Sequence, residues 1–463
     1  MRVLFAVYPA PAHLMSVVSY AWALQSAGHE VCVGFPASEA SGITTGDFAG
    51  VVTAAGLTAA PCGDPEPLAV FSGAHPELVP TMEESERFVR LLGIDAAERD
   101  HWDCFYHFML FFVRNYHPPK PRRDVEQLIA FARDWRPDLV VWDHWFPCAA
   151  VAARACGAAH ARVLQAPDYS GWFAERRARA GARVADPLAE TLRPLADAHG
   201  VEVDDELLFG QWTIDPMPES MRLTSSVRTL PVRYVPHNGA TRLPGWLVET
   251  PRRPRLVISF GVSNRNYQRG DRGRTAKLLE AVSEVDAEVV ATLNADQLSE
   301  VAGGLPDNVR AHDFLPLTHL LPTASAVVHH GAPATLSVAS AKGVPQLVAD
   351  TDEPTRFVGR PTADGIEWDL VGERTLTSRL AAKYVTDHGA GLRLDHQAHS
   401  VGEIRDRLRR VLDEPSFRTG AGLLRRKWLA EPSVAELVPV LERMTEQHRA
   451  RSSCGRVGGG HGG

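Results

Sequence analysis

The chain has 463 residues, an apolar fraction of 44%, a charged fraction of 23% and a net charge of −7. That length allows two or three domains with full-sized cores, and the negative charge, with no long basic run, argues against a nucleic-acid binder. Six cysteines, at 32, 62, 104, 148, 156 and 454, form no C-x-x-C and no regular framework, so they read as reduced thiols and a cytoplasmic location is expected. Nowhere do about 18 consecutive apolar residues occur, so no membrane span is expected. Pro9, Pro11 and His13 end the apolar run VLFAV too early for a signal peptide.

In chain order, Arg2 to Val7 reads as a buried strand, His13 to Ala27 as a helix ended by Gly28, and Val31 to Phe35 as the next strand. This βαβ opening predicts a parallel sheet. The stretch Gly42 to Glu77 is punctuated by Pro and Gly and has no clear period, and Glu83, Glu84 and Glu86 then introduce a helix. His101 to Tyr116, HWDCFYHFMLFFVRNY, fits a core helix or the wall of an apolar acceptor pocket, with Phe105, Phe108 and Phe112 as the candidate wall. His101, Cys104 and His107 fall at helical spacing, as metal ligands can. The Phe, Trp and Tyr around them fit packing better, and no metal site is expected. Leu139 to Trp142, Pro147 to Cys156 and Ala161 to Leu164 continue the alternation as strand, helix and strand. Residues 170 to 205 are charged and helical in pattern, and Ala174 to His199 offers little apolar surface, as an outer helix in need of another surface would. From GQWTIDPMPES to VRYVPHNG the prolines are too many for regular elements, so this reads as the connection between domains.

A second alternating block starts at Leu256 to Phe260 and continues through helix 273 to 284, strand Ala287 to Leu293 and Val309 to Phe314. It reaches AVVHHGAPATLSVASAKGVPQLVAD, residues Ala326 to Asp350, which reads as strand, turn, helix, turn and strand. His330 and Gly331 lie in the strand-to-helix turn, where the unpaired N–H groups of a new helix suit a diphosphate. His330 can add a hydrogen bond or a charge, and Thr335 a hydroxyl. Ser263, after the strand Leu256 to Phe260, can also reach phosphate. Helices follow at 377 to 387, 400 to 413, 416 to 429 and 432 to 448. The expected division is 1–235, 236–450 with a last helix free to cross back, and a disordered glycine-rich tail 451–463. Two such blocks suggest an α/β protein of two doubly wound, Rossmann-like domains facing a cleft. Neither has G-x-G-x-x-G after a strand, and G-x-x-x-x-G-K-[ST] and G-x-S-x-G are absent, which counts against dinucleotide redox, P-loop and α/β-hydrolase chemistry.

HHGAPAT followed by GVPQ resembles the donor site of GT-B glycosyltransferases that make glycosylated natural products. AWALQSAGHEV, WDHWFPCAAVAARACGAAHARVLQAPD and LDEPSFRTGAGLLRRKWLAEPSVAELVPVLE are similar to the macrolide and anthracycline deoxysugar transferases. GQWTIDPMP and RYVPHNG resemble the subgroup that works with a cytochrome-like auxiliary protein. The resemblance implies an inverting, metal-independent transfer of a deoxysugar from a dTDP-sugar to a polyketide-type aglycone, with no cofactor beyond the nucleotide sugar. It implies His13 as the base and Asp143 as the acid that orients it, although either residue alone could simply cap a helix. Phe314 and Leu317 correspond to the loop that packs on the nucleotide base. An extra stretch of roughly 24 residues near Pro354 to Thr377 interrupts the usual sugar-binding sequence, leaving Asp350, Asp352 and Glu353 as candidates for the sugar hydroxyls. A nucleotide-sugar epimerase or hydrolase of the same architecture, and a non-catalytic binding partner, are the competing readings.

Overall fold

Seven runs in the first half pair as one parallel sheet: β1 (Arg2–Ala6), β2 (Glu30–Pro36), β3 (Thr58–Cys62), β4 (Leu139–Asp143), β5 (Ala159–Val163), β6 (Trp212–Asp215) and β7 (Thr229–Pro231). Their order is β3-β2-β1-β4-β5-β6-β7. The computed structural model describes residues 1–37, 46–64, 75–117, 120–181, 184–224, 226–239, 241–262, 274–299, 301, 304–362 and 365–457. Strands β4 and β5 are buried along their whole length, as expected of parallel strands covered by helices on both faces. The pleat of β1 shows why. Leu4 and Ala6 enter one apolar cluster with helices Arg123–Trp135 and Cys148–Cys156, whereas Val3 and Phe5 face helix Pro11–Ser26 on the other side.

The second half forms a six-stranded parallel sheet. Its strands are β8 (Arg255–Ser259), β9 (Glu288–Thr292), β10 (Val309–His312), β11 (Ala326–His329) and β12 (Gln346–Ala349), then, after an antiparallel hairpin of β13 (Arg356–Thr362) and β14 (Gly365–Val371), β15 (Gly391–Leu394). The order is β10-β9-β8-β11-β12-β15. In each sheet the first strand lies between the second and the fourth, so the winding reverses beside it and opens a crevice at the carboxyl ends, β1 with β4 and β8 with β11. These two switch points position the site.

Four expectations change. The proline-rich connection contains β6 and β7, because its prolines flank the pairing residues and Pro231 ends an edge strand, where a missing N–H costs no ladder bond. Helix Val434–Val457 extends into the expected tail, since Arg451 to Cys454 contain no helix breaker; residues 458–463 lie outside the described residues. That helix packs Val434, Leu437, Val438 and Leu441, at helical spacing, onto the first sheet's core. The stretch Ala174 to His199 does bury its own apolar face: Leu188, Leu192 and Leu195 of helix Pro187–Ala198 are covered, and Leu188 and Leu192 meet Val113, Leu208 and Phe209. In the stretch Gly42 to Glu77 a helix, Phe48–Ala54, precedes β3; residues 38–45 and 65–74 lie outside the described residues.

Candidate active site

Pro11 pre-sets the first turn of helix Pro11–Ser26 right after β1, and this brings His13 to the carboxyl edge of the sheet. Neither residue caps a helix. Instead the His13 ring meets Asp143, the last residue of β4, with Nδ1 and Oδ2 2.5 Å apart. Asp143 is fully buried and also accepts from the Trp145 N–H at 3.0 Å and the Tyr8 N–H at 3.4 Å. Burial pushes the Asp143 carboxyl up, but the charge and hydrogen bond of His13, with His144 and the Trp145 amide, outweigh it and hold the group below the usual range. An ionised carboxylate only accepts, so Nδ1 of His13 carries a hydrogen, and in the neutral imidazole the lone pair is on Nε2. Tyr8 and Trp145 fix the ring from the sides, with centroids 5.1 and 4.7 Å away.

At the other switch point, β11 ends at His329, whose Nε2 lies 2.9 Å from Gln346 Oε1 while its Nδ1 accepts from the Gly331 N–H. Gly331 has φ of 78°. A Cβ there would lie 2.7 Å from the Ser378 Cα, so only glycine makes this turn. Ala332 is extended and Pro333 opens the ten-residue helix Pro333–Lys342, which has no side-chain cap. Ala332, Pro333 and Ala334 therefore require no left-handed backbone. The first intrahelical bond is Leu336 N–H to Ala332 O, which leaves the Ala334 and Thr335 N–H groups, and the positive end of the helix, for a ligand. His330 is buried beside them, and its Nδ1 has no hydrogen-bond partner among the described residues. Desolvation, then His329 and Arg274, push its pKa down to about 3. Of the hydrogen bond or charge that His330 could add, burial favours the neutral, hydrogen-bonding form. The loop after β8 makes room for it, since a Cβ on Gly261 would stand 2.6 Å from His330 Cε1.

Both switch points open into one cleft of ≈ 260 Å³. His13, Phe108, His330, Thr335, Phe314 and Leu317 all line it. Phe314 is 37% exposed, so its ring is available for stacking on a planar base. A larger cavity, ≈ 490 Å³, lies behind Tyr234 and Pro333 but touches none of His13, Asp143 or His330, so size does not decide between the two.

Several expected site residues are elsewhere. Ser263 lies outside the described residues. Gly331 shapes the turn from beneath and does not line the cleft. Asp350 is fully buried and saturated: it takes Ser378 Oγ at 2.9 Å, Arg379 Nε at 3.1 Å and Arg393 Nε at 2.8 Å. Asp352 pairs with Arg379 and Arg393 at 2.6 and 3.0 Å on the surface, and Glu353 accepts from Gln397 at 3.1 Å. None of the three acids lines the cleft: arginines after the hairpin hold Asp350 and Asp352, and Gln397 holds Glu353. Phe105 stacks on Phe173 with centroids 4.3 Å apart, inside the core. Phe112 lies behind Trp145 at 4.7 Å. The spacing i, i+3, i+7 would put these phenylalanines on one helical face, but Cys104–Met109 is a π-helical turn, and its i→i+5 bonds change the angular step so that Phe108 alone faces the cleft. The sequence reading missed Trp145, Gln165, Tyr234, His237, Asn238 and Thr375, which also line the cleft. Tyr234 to Asn238 had a signal, the RYVPHNG segment, but it suggested a linker. The His237 N–H donates to Met15 O at 2.8 Å and draws this segment over the first domain.

The family model for the erythromycin biosynthesis protein CIII-like N-terminal domain matches residues 22–261, and that for its C-terminal domain matches 276–364. Aclacinomycin-T 2-deoxy-L-fucose transferase of Streptomyces galilaeus is 37% identical over 99% of this chain and 100% of its own. Tylactone mycaminosyltransferase of Streptomyces fradiae is 37% identical over 97% of this chain and 93% of its own. Among solved structures, the glycosyltransferase VinC in complex with dTDP superposes with a TM-score of 0.74 at 33% identity, covering 96% of this chain and 100% of that one. Spinosyn forosaminyltransferase SpnP gives 0.72 at 34%, covering 96% and 99%. With two doubly wound sheets meeting at one cleft and matches along nearly its whole length, the chain belongs to the erythromycin biosynthesis protein CIII-like family and is a GT-B natural-product glycosyltransferase.

Proposed function

We propose that the protein moves a deoxysugar from a dTDP-sugar to the hydroxyl of a polyketide-type aglycone, in the cytoplasm and with inversion at the anomeric carbon. The observation that carries this reading is the single cleft with the His13–Asp143 pair at one switch point and His330 with an uncapped helix N-terminus at the other. Nε2 of His13 takes the acceptor proton as the acceptor oxygen bonds to the anomeric carbon and the bond to the diphosphate breaks. Asp143 stabilises the imidazolium that results. Charge developing on the leaving diphosphate is met by the Ala334 and Thr335 N–H groups, the Thr335 hydroxyl and His330. These donors supply the stabilisation for which a metal is otherwise used, so the proposed reaction needs none. The apolar side of the cleft, Met15, Phe108, Trp145 and Tyr234, suits a large ring better than water, which favours transfer over donor hydrolysis or epimerisation.

The reading is tested by mass-spectrometric detection of glycosylated product from a panel of dTDP-sugars and polyketide aglycones. No product from any pair would defeat it. The resemblance of GQWTIDPMP and RYVPHNG also supports a cytochrome-like helper that shifts the population of a competent conformation. The same assay is therefore run with and without co-expressed helper, and full activity of the chain alone, unmoved by the helper, would remove that partner.

Nucleotide binding gives a second check. A ligand that binds only the native state at 100 times its Kd stabilises it by about 2.7 kcal/mol, so dTDP should raise the melting temperature measurably. His330→Ala should shrink the shift, and EDTA should leave it unchanged. Loss of the dTDP shift on adding EDTA would make the diphosphate site metal-dependent.

A further inference from the structure

The chain flanking the β13–β14 hairpin belongs to the second domain by sequence, yet it reaches into the first. Arg374 Nη1 lies 2.5 Å from Asp100 Oδ1, and Arg379 Nη1 lies 3.3 Å from Asp100 Oδ2. The Tyr169 hydroxyl donates to the Leu376 carbonyl. Between these polar ties the Leu376 side chain packs against the aromatic cluster of the first domain, which includes Phe105, Phe108, Phe112 and Trp145. The seam left between Asp100, Asp103, Cys104 and Phe108 on one side and Pro354, Thr355, Arg374 and Leu376 on the other encloses ≈ 20 Å³, room for about one water molecule. It is a fitted contact.

The same arginines are held from behind. Arg374 and Arg379 also pair with Asp350 at 3.7 and 3.1 Å and with Asp352 at 3.4 and 2.6 Å. Two of the three acids that the sequence pointed to, Asp350 and Asp352, thus anchor a strap. Thr355, Thr375, Leu376 and Thr377 of that strap line the cleft together with His13 and Phe108, and Thr375 Oγ1 donates to the His330 carbonyl at 3.2 Å. Leu376 is therefore an apolar wall placed beside the one phenylalanine that the π-helical turn aims at the cleft.

We propose that Leu376, held against Phe108 by the Asp100–Arg374–Arg379 ion pairs, is a specificity-determining residue that closes the aglycone pocket and limits the thickness of the ring system admitted. The proposal rests on the transferase reading above. The acceptor site is in this account built from both domains, and the hairpin's role is to carry Leu376 across. An apolar contact of this size discriminates by roughly tenfold or somewhat more per group removed, whereas the ion pairs set where the wall stands.

The experiment compares kcat/KM for a flat tetracyclic aglycone and a thicker macrolactone aglycone with one dTDP-sugar, in the wild type, Leu376→Ala and Asp100→Asn. Leu376→Ala should move the ratio toward the macrolactone by about tenfold. Asp100→Asn leaves both arginines paired with Asp350 and Asp352, so it should move the ratio the same way, mainly through acceptor KM. The stabilisation by dTDP should be the same in all three proteins. A merely structural role would lower kcat and stability for both aglycones alike. An unchanged ratio in both variants overturns the proposal, whereas the transferase reading falls only if the wild type glycosylates no aglycone of the panel above, with or without the helper.

Discussion

His13→Ala should lower kcat by at least about 10²-fold, the loss typical when a general base is removed, while dTDP still stabilises the protein by the same amount. The split follows from geometry. His13 and Asp143 stand at the β1–β4 switch point, whereas the nucleotide side is built from the loops after β8 and β11. Asp143→Asn should also lower kcat, because an amide cannot balance the imidazolium charge. Asparagine keeps only one of the two oxygens that accept from the Trp145 N–H, the Tyr8 N–H and His13, so its melting temperature belongs beside its kcat. Steady-state kinetics against the aglycone decide the matter, and an unchanged kcat in His13→Ala takes His13 out of the mechanism.

Acid should destabilise the protein steeply between pH 7 and 5. Five buried histidines are held neutral chiefly by desolvation: His117, His144 and His329 with pKa pushed down to about 4, and His160 and His330 to about 3. In the unfolded chain each would titrate near 6.5. Their folded pKa is lowered, so below about 6.5 the unfolded state binds more protons. The stability that is complete above 6.5 is then lost as pH falls toward 4, at about 1.4 kcal/mol per histidine per pH unit. Asp215 acts in the opposite sense. Burial raises it to about 6, so lowering the pH through 6 relieves that one group while five others lose. Denaturant melts at pH 7.5 and 5.5 should differ by about 5 kcal/mol or more on these terms. Equal stability at the two pH values would mean that these imidazoles are not buried as neutral groups. Because a bound diphosphate favours the charged form of His330, dTDP should recover part of the loss at the lower pH.

Much of the fold was written locally. Apolar runs such as Val3 to Ala6, Leu139 to Trp142 and Ala326 to Val328 are buried on both faces, and the glycines at 28, 157 and 343 end helices at positive φ, so strand, helix and stop were visible in each unit. His13 and Asp143 were legible because each lies near the end of a strand, which in a doubly wound sheet is the carboxyl edge, and because both match the resembled family. His330 and Thr335 were legible from the strand-to-helix turn for the same reason. What misled was local chemistry read without its partners: the prolines around β6 and β7 looked like a linker because a strand of three or four residues carries little period of its own.

By itself, then, the sequence determined the two alternating blocks, the parallel sheets and the residues at their switch points, since these depend on interactions over a few residues and on the direction of a βαβ unit. Tertiary structure alone decided which polar groups face the cleft. Asp350, Asp352 and Glu353 sit where an acid was wanted, yet Arg374, Arg379, Arg393 and Gln397 hold them, because Asp350 and Arg374 are buried and a buried charge needs a partner. Only the folded chain likewise showed that a π-helical turn separates Phe108 from Phe105 and Phe112, and that Leu376 crosses from one domain to the other. Both depend on contacts between residues far apart in sequence, such as Asp100 with Arg374, and no periodicity or motif in one segment records what a distant segment will bring to it.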